Sequence, residues 1–163
     1  MIRLFIVVLI ALLPRVLFAG DISMLNAVNK SFLQYEEKYN SCIESAKRNS
    51  INSNVVNQIK ELDVDLSISI GYLYSQTLYK CSFNELSSLM RLILIVSKSE
   101  QYDYPMTQSK TEEIKRLIFS SVDLRLESKF QSLPEKNKIV LLDMVEQLEP
   151  FDMIALYDQV QTN

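Results

Sequence analysis

The stretch MLNAVNKSFLQYEEKYNSCIESA, residues 24–46, carries the clearest periodic pattern in this 163-residue chain. Its apolar side chains recur at alternating steps of three and four residues, which places them on one stripe of an α-helix. A polar segment follows, so we expect a helix over about residues 23–48, with Ser23 or Asp21 capping its start. The stripe consists of Leu25, Val28, Phe32, Tyr35, Tyr39, Cys42 and Ala46.

The segment before this helix has the organisation of a secretory signal peptide. Arg3 supplies a positive charge ahead of an unbroken apolar run over residues 4–13. That run is about half as long as the ~20 residues that a membrane-spanning helix needs. Pro14 and Arg15 then interrupt it, and small residues precede the polar chain. A short apolar block followed by a helix breaker and small residues is typical of an export signal.

We therefore predict a signal peptide over residues 1–19, cleaved after Ala19 or, alternatively, after Gly20. The helical domain then covers residues 20–163, without a stable membrane anchor after cleavage, and its expected location is the periplasm or the exterior of the cell. An uncleaved signal anchor is the alternative interpretation.

Composition excludes several classes of function. Removal of residues 1–19 leaves 15 basic and 20 acidic residues, and the resulting net charge of −5 argues against a nucleic-acid partner. The chain has no histidine, which excludes Ser-His-Asp relays, Cys-His pairs and histidine metal sites. Two cysteines are too few for a four-cysteine zinc site, and two glycines are too few for a phosphate-binding loop. We predict no catalytic residues, no metal ligands and no cofactor.

The rest of the chain also reads as helical, which predicts an all-α fold with a single compact domain of six or seven helices. Residues 63–70 are ambiguous, because they fit both the alternation of a strand and a helical stripe. Since no second segment offers a strand partner, we expect a helix over about residues 65–80. A short final helix follows Pro150.

Three segments match the Ser-x-x-Glu capping box that opens a helix. They begin at Ser82, Ser109 and Ser132, and each precedes a periodic apolar pattern. The second of these helices is expected to extend as far as Val122. The block LILIV, residues 92–96, is apolar on every side, so we expect its helix to lie at the centre of the core.

The cysteine pair predicts a disulfide. Cys42 lies near the end of the first helix and Cys81 at the end of the third, so a fold-back of the intervening helices brings the thiols together. An even number of cysteines in an exported protein is typical of disulfide bonding. A redox or nucleophilic role lacks support, because the spacing is far from Cys-x-x-Cys.

Two groups of polar side chains are candidates for function. Paired carboxylates can hydrolyse glycosidic bonds when one lies in a desolvated pocket. The visible pairs are Glu36 with Glu37, Asp63 with Asp65, and Glu112 with Glu113. Tyrosines form the second group, because they supply contact area with few rotors to freeze. The predicted partner-binding residues are Tyr102, Asp103, Tyr104 and Tyr74.

These observations favour a non-enzymatic exported protein that binds another protein, for example an immunity protein or an inhibitor of an envelope-acting enzyme. The negative net charge suits a basic partner. Two alternatives stay open: an envelope structural or secretion-system accessory protein, oligomeric through the first helix, and a carboxylate-based hydrolase. The sequence leaves the oligomeric state unknown.

Overall fold

The computed structural model describes residues 2–62, 64–98 and 104–162, with the backbone alone for residues 2–19. These residues form eight α-helices and no strand, so the predicted all-α class is confirmed. The helices are α1 (Ile2–Ala46), α2 (Ser53–Glu61), α3 (Leu66–Cys81), α4 (Phe83–Lys98), α5 (Pro105–Ile118), α6 (Ser121–Gln131), α7 (Glu135–Gln147) and α8 (Met153–Gln161).

Two compact units make up the chain. The first contains α1 as far as Tyr35, together with α5 and with α4 from Asn84 onward. The second contains the remainder of α1 with α2, α3, α6, α7 and α8. The long helix α1 therefore contributes residues to both units.

The first unit buries apolar side chains from its three helices. Val28 and Tyr35 are buried, which confirms the N-terminal part of the predicted α1 stripe. The expectation for α4 is wrong in part, because Leu94 and Ile95 of the LILIV block are 54% and 44% exposed. This helix is packed on one face only. The buried apolar residues of the unit are Val28, Tyr35, Leu89, Ile93, Val96, Ile114 and Ile118.

The second unit is organised around α3, which packs against α6, α7 and α8. Its core contains the stacked rings of Tyr72 and Phe130, whose centroids lie 3.8 Å apart. A disulfide joins Cys42 at the end of α1 to Cys81 at the end of α3, with 6.1 Å between the Cα atoms, so this prediction is confirmed. The core residues are Val56, Ile59, Ile70, Tyr72, Leu73, Phe130, Leu141, Met144, Leu148, Phe151, Leu156 and Val160.

Residues 64–70 resolve the ambiguity between helix and strand. The Asp65 carboxylate accepts a hydrogen bond from the Ser67 N–H at 2.9 Å and so caps α3, which starts at Leu66. The alternating apolar residues of this segment therefore belong partly to the connection before α3, which contains Val64, and partly to α3 itself. Asp63 lies outside the described residues.

Helix α4 begins at Phe83, directly after Ser82, as the first predicted capping box requires, whereas the helices of the other two boxes start elsewhere. The Ser82 hydroxyl donates back to the Leu78 carbonyl at 2.9 Å, and the Ser132 hydroxyl donates back to the Lys129 carbonyl at 2.6 Å. Each of these serines is the C-cap of the preceding helix, and α7 starts only at Glu135, with Pro134 at its N-cap position. Ser109 lies inside α5, which begins four residues earlier.

The segment after α5 also differs from the prediction. The chain breaks at Phe119 and starts a separate helix, α6, whose N-cap is Ser120. Its hydroxyl accepts the Asp123 N–H at 3.2 Å. This break adds a helix to the expected number and leaves Val122 51% exposed.

Among the described residues, no helix combines the length and the apolar character needed to cross a bilayer. The side chains of residues 1–19 are outside the description, so the signal peptide and its cleavage site stay predictions.

Candidate functional site

The predicted aromatic patch falls partly in the first unit. Tyr102 and Asp103 lie outside the described residues. Tyr104 is half-buried just before α5, where its carbonyl accepts the Gln108 N–H at 2.8 Å. A Cβ atom added to Gly20 of α1 would lie 3.7 Å from Tyr104 Cε1. The start of α5 therefore lies beside residue 20 of α1.

Tyr74, the fourth predicted binding residue, belongs to the second unit. Its ring meets Phe151 edge to face, with centroids 6.0 Å apart, at the side of that unit's core. Burial and the nearby Asp152 raise the pKa of the phenol. The side chain therefore takes part in core packing.

Asp21 joins α1 to the start of α5. Its carboxylate accepts the backbone N–H of Met106 at 3.2 Å and that of Thr107 at 3.1 Å. The Thr107 hydroxyl donates to the same carboxylate and to the Asp21 carbonyl. Asp21 and Thr107 are 2% and 0% exposed. We expected Ser23 or Asp21 to cap a helix that starts near residue 23, but α1 already runs from Ile2, and Asp21 instead caps α5, whose first position is Pro105.

A groove of about 570 Å³ lies between α1 and α5, next to this cap. From α1 it is lined by Leu25 and Asn29. Since Asp21 meets residue 107 and Asn29 shares the groove with Glu113, both helices advance in the same direction. The lining from α5 consists of Pro105, Met106, Ser109, Lys110 and Glu113.

Exposed apolar side chains continue both walls of the groove. On α1, Ile22 and Leu33 lie on the same stripe as the lining residues and are 50% and 61% exposed. On α5, Met106 and Leu117 lie at the two ends of a stripe with steps of four, three and four residues, and are 42% and 61% exposed. We use the name α1–α5 groove for the lining residues together with Ile22, Leu33 and Leu117.

The middle of the α1–α5 groove is polar. Lys110 Nζ lies 2.9 Å from the Glu113 carboxylate, which forms an ion pair along one wall. Asn29 faces this pair from the other wall and is half-buried. A groove with apolar ends and a polar middle fits an amphipathic segment whose apolar side chains contact the two ends of the groove.

A second concavity, of about 500 Å³, lies in the second unit between the α1–α2 and α7–α8 connections. Two of its polar side chains, Asn49 and Asn52, already make hydrogen bonds that stabilise the fold. The Asn49 amide donates to the Pro150 carbonyl at 2.7 Å, and the Asn52 side chain caps α2 by accepting the Asn54 N–H at 2.9 Å. This concavity is therefore a weaker candidate for ligand binding than the α1–α5 groove.

The tyrosines of the second unit act as packing groups. Burial raises the pKa of Tyr72 to about 12, with a further contribution from Glu127. Burial, followed by Asp123, raises the pKa of Tyr79 to about 12. Both phenols stay neutral at ordinary pH.

The predicted carboxylate pairs lie on solvated surface. Glu36 and Glu37 are exposed, and Asp65 caps α3. Glu112 and Glu113 each form an ion pair with a lysine three residues away. None of these acids occupies the desolvated pocket that glycosidic hydrolysis requires, so the hydrolase alternative receives no support from them. Among the described residues, no three cysteine or carboxylate side chains form a metal-binding group.

Tyr104, which precedes the lining residue Pro105, was a predicted binding residue, whereas the residues that line the groove were not predicted. One signal was available. Met106, Lys110, Glu113 and Leu117 follow helical spacing on α5, with apolar residues at both ends of a charged pair. The sequence of α1 gives no such signal, because nothing in it distinguishes Asn29 from a solvent-exposed helix position. Asn29 lines a groove only because α5 packs beside α1.

Comparison with known proteins gives no relative from which function could be transferred. The chain matches no protein-family model, no curated protein and no solved structure. We therefore infer function from the residues of the α1–α5 groove.

Proposed function

We propose that this chain is an exported binding protein that captures a partner protein through the α1–α5 groove. The observation that carries the proposal is the pairing of two parallel helices whose facing walls leave apolar side chains about half exposed at both ends. Exposed apolar side chains grouped along a concave surface are typical of interaction sites.

The occupant that fits this geometry is an amphipathic helix. Met106 and Leu117 are eleven residues apart, which is about 16 Å along α5 at the ~1.5 Å rise of a helix. A partner helix with apolar side chains three turns apart reaches both ends of the groove, and polar side chains between them meet the Lys110–Glu113 pair. This is the helix-in-groove mode of recognition.

Export is part of the proposal and has two supports. The N-terminal segment has the composition of a signal peptide. The disulfide between Cys42 and Cys81 is of the kind that persists in oxidising compartments. In such a compartment, an acidic binding protein suits the role of an immunity protein or of an inhibitor of a basic envelope-acting enzyme, because opposite charge accelerates encounter.

Site-specific photo-crosslinking tests the location of the site. A photoreactive phenylalanine analogue replaces Ser109, which lines the groove, or the adjacent Gln108, which is exposed on α5 outside the groove lining. In the cells that produce the protein, we expect one defined crosslinked product from position 109 and none from position 108. Equal crosslinking from both positions, or none from position 109, would contradict the proposal.

A further inference from the structure

Two helices of this chain present exposed faces of opposite charge with apolar centres. On α4, Leu94 and Ile95 are 54% and 44% exposed, and the exposed Arg91 and Lys98 lie on the same side of the helix. We name these four residues the basic face. They come from the LILIV helix, whose other side is buried.

The matching feature is on α7. Ile139 and Leu142 are 59% and 48% exposed, and Glu135 and Glu146 continue the same stripe at steps of four residues on either side. We name these four residues the acidic face. The Glu135 carboxylate also pairs with Lys138 of the same helix, at 2.8 Å from its Nζ, so the negative charge of this side of α7 is greatest at Glu146. Leu141 and Met144 hold the opposite side of α7 in the core of the second unit.

We propose that the basic face of one copy of the chain packs against the acidic face of a second copy. Each face has two apolar side chains between two charged ones, and the charges of the two faces are opposite. The charged residues are seven positions apart on α4 and eleven on α7, about 10 Å and 16 Å along the helix axes. Long lysine and arginine side chains span the difference at each end, whether the helices pack parallel or antiparallel.

Charge complementarity argues for this occupant. Charges flanking an apolar helix seam decide which helices pair, and like charges on the two faces would oppose the contact. The net charge, −3 for the whole chain and −5 without residues 1–19, opposes association, so the attraction depends on these two faces and weakens as salt screens it.

The geometry of the assembly follows from the difference between the two faces. A single contact between unlike faces leaves one face free on each copy, so association either continues to a ring or an open chain or closes when two copies make the contact reciprocally. The alternative route to oligomers through the α1 stripe is less favourable, because Val28, Tyr35 and Cys42 of that stripe are buried within the chain. Self-association of this kind suits the envelope structural role that the sequence left open.

Mixing of single-face variants tests the proposal. Light scattering is measured for the double variants Leu94→Asp with Ile95→Asp and Ile139→Asp with Leu142→Asp, whose side chains are exposed and whose folding is checked by circular dichroism. We expect concentration-dependent oligomers of the unaltered protein, monomers of each variant alone, and a dimer when the two are mixed. An unaltered protein that stays monomeric, variants that assemble as it does, or a mixture without a dimer would each overturn the proposal.

A charge exchange gives a second readout that does not depend on apolar residues. Arg91→Glu with Lys98→Glu should abolish assembly, and adding Glu135→Lys with Glu146→Lys to the same chain should restore it. Failure of the combined variant to assemble, while it remains folded, would contradict the pairing of the two faces. Met106 lies in the α1–α5 groove, so Met106→Gln should weaken partner binding and leave self-association unchanged. This difference separates the present inference from the proposed function.

Discussion

The carboxylate of Asp21 accepts the Thr107 backbone N–H at 3.1 Å, so that a residue of α1 caps α5 across 86 positions of sequence. Pro105 has no N–H to offer at the first position of α5, and the first two free N–H groups of the helix both point to Asp21. This contact fixes the register between the two helices and thereby the position of the α1–α5 groove.

Loss of this cap should loosen the start of α5. Asp21→Ala leaves the buried Thr107 N–H and the part-buried Met106 N–H without their acceptor, at a cost of about 1–2 kcal/mol. We expect hydrogen exchange at the Thr107 amide to accelerate about tenfold. Asp21→Asn keeps one carbonyl acceptor and should have a smaller effect.

Ser23 provides the matched control for this experiment. It lies two residues further along α1, is exposed, and was the other candidate for capping. Ser23→Ala should leave exchange at Thr107 unchanged. Equal protection of Thr107 in the Asp21→Ala variant and the unaltered protein would rule out the cap.

Structural features that depend on residues close together in sequence were predictable, and features that depend on distant residues were not. The α1 stripe and the Cys42–Cys81 disulfide depend on spacing along the chain, and both were predicted. The helix start after Ser82 was predicted, but the Ser82 and Ser132 hydroxyls donate to the helix before each serine. The groove was not predictable, since the residue that places it, Asp21, acts on a helix far away in sequence.

Removal of the disulfide should destabilise the second unit. Cys42 and Cys81 are 39 positions apart, and closing such a loop stabilises a fold by about 4 kcal/mol in the chain-entropy model. We expect the variant Cys42→Ser with Cys81→Ser to unfold at a lower urea concentration than the oxidised protein. Reductant should lower the midpoint of the unaltered protein and leave that of the variant unchanged. Alkylation of both cysteines in protein purified without reductant would contradict the disulfide.

Stability should decrease at high pH because of the buried phenols. The pKa of Tyr72 is raised from 10.0 to about 12, so the folded state holds this proton more tightly than the unfolded state does. The resulting stabilisation is complete below pH 10 and is lost as the pH rises from about 10 to about 12. Burial raises the pKa of Tyr79 in the same direction, so both phenols contribute.

Tyr72→Phe tests the contribution of one phenol. Phenylalanine keeps the stacking on Phe130 and removes the proton that titrates. We expect this variant to lose less stability between pH 10 and 12 than the unaltered protein, as followed by urea unfolding. An ultraviolet titration at the same pH values should lack one late-ionising phenol. Identical alkaline profiles would show that Tyr72 ionises without opposing the fold.

The most direct test of groove binding compares two methionines with nearly the same exposure. Met106 lies in the α1–α5 groove and is 42% exposed, whereas Met153 lies at the start of α8 and is 40% exposed. The partner identified by crosslinking at position 109 is titrated calorimetrically against Met106→Gln and Met153→Gln. We expect the Met106 variant to bind at least about tenfold more weakly, which corresponds to about 1.4 kcal/mol, and the Met153 variant to bind as the unaltered protein does. Equal affinity of the two variants would contradict binding in the groove.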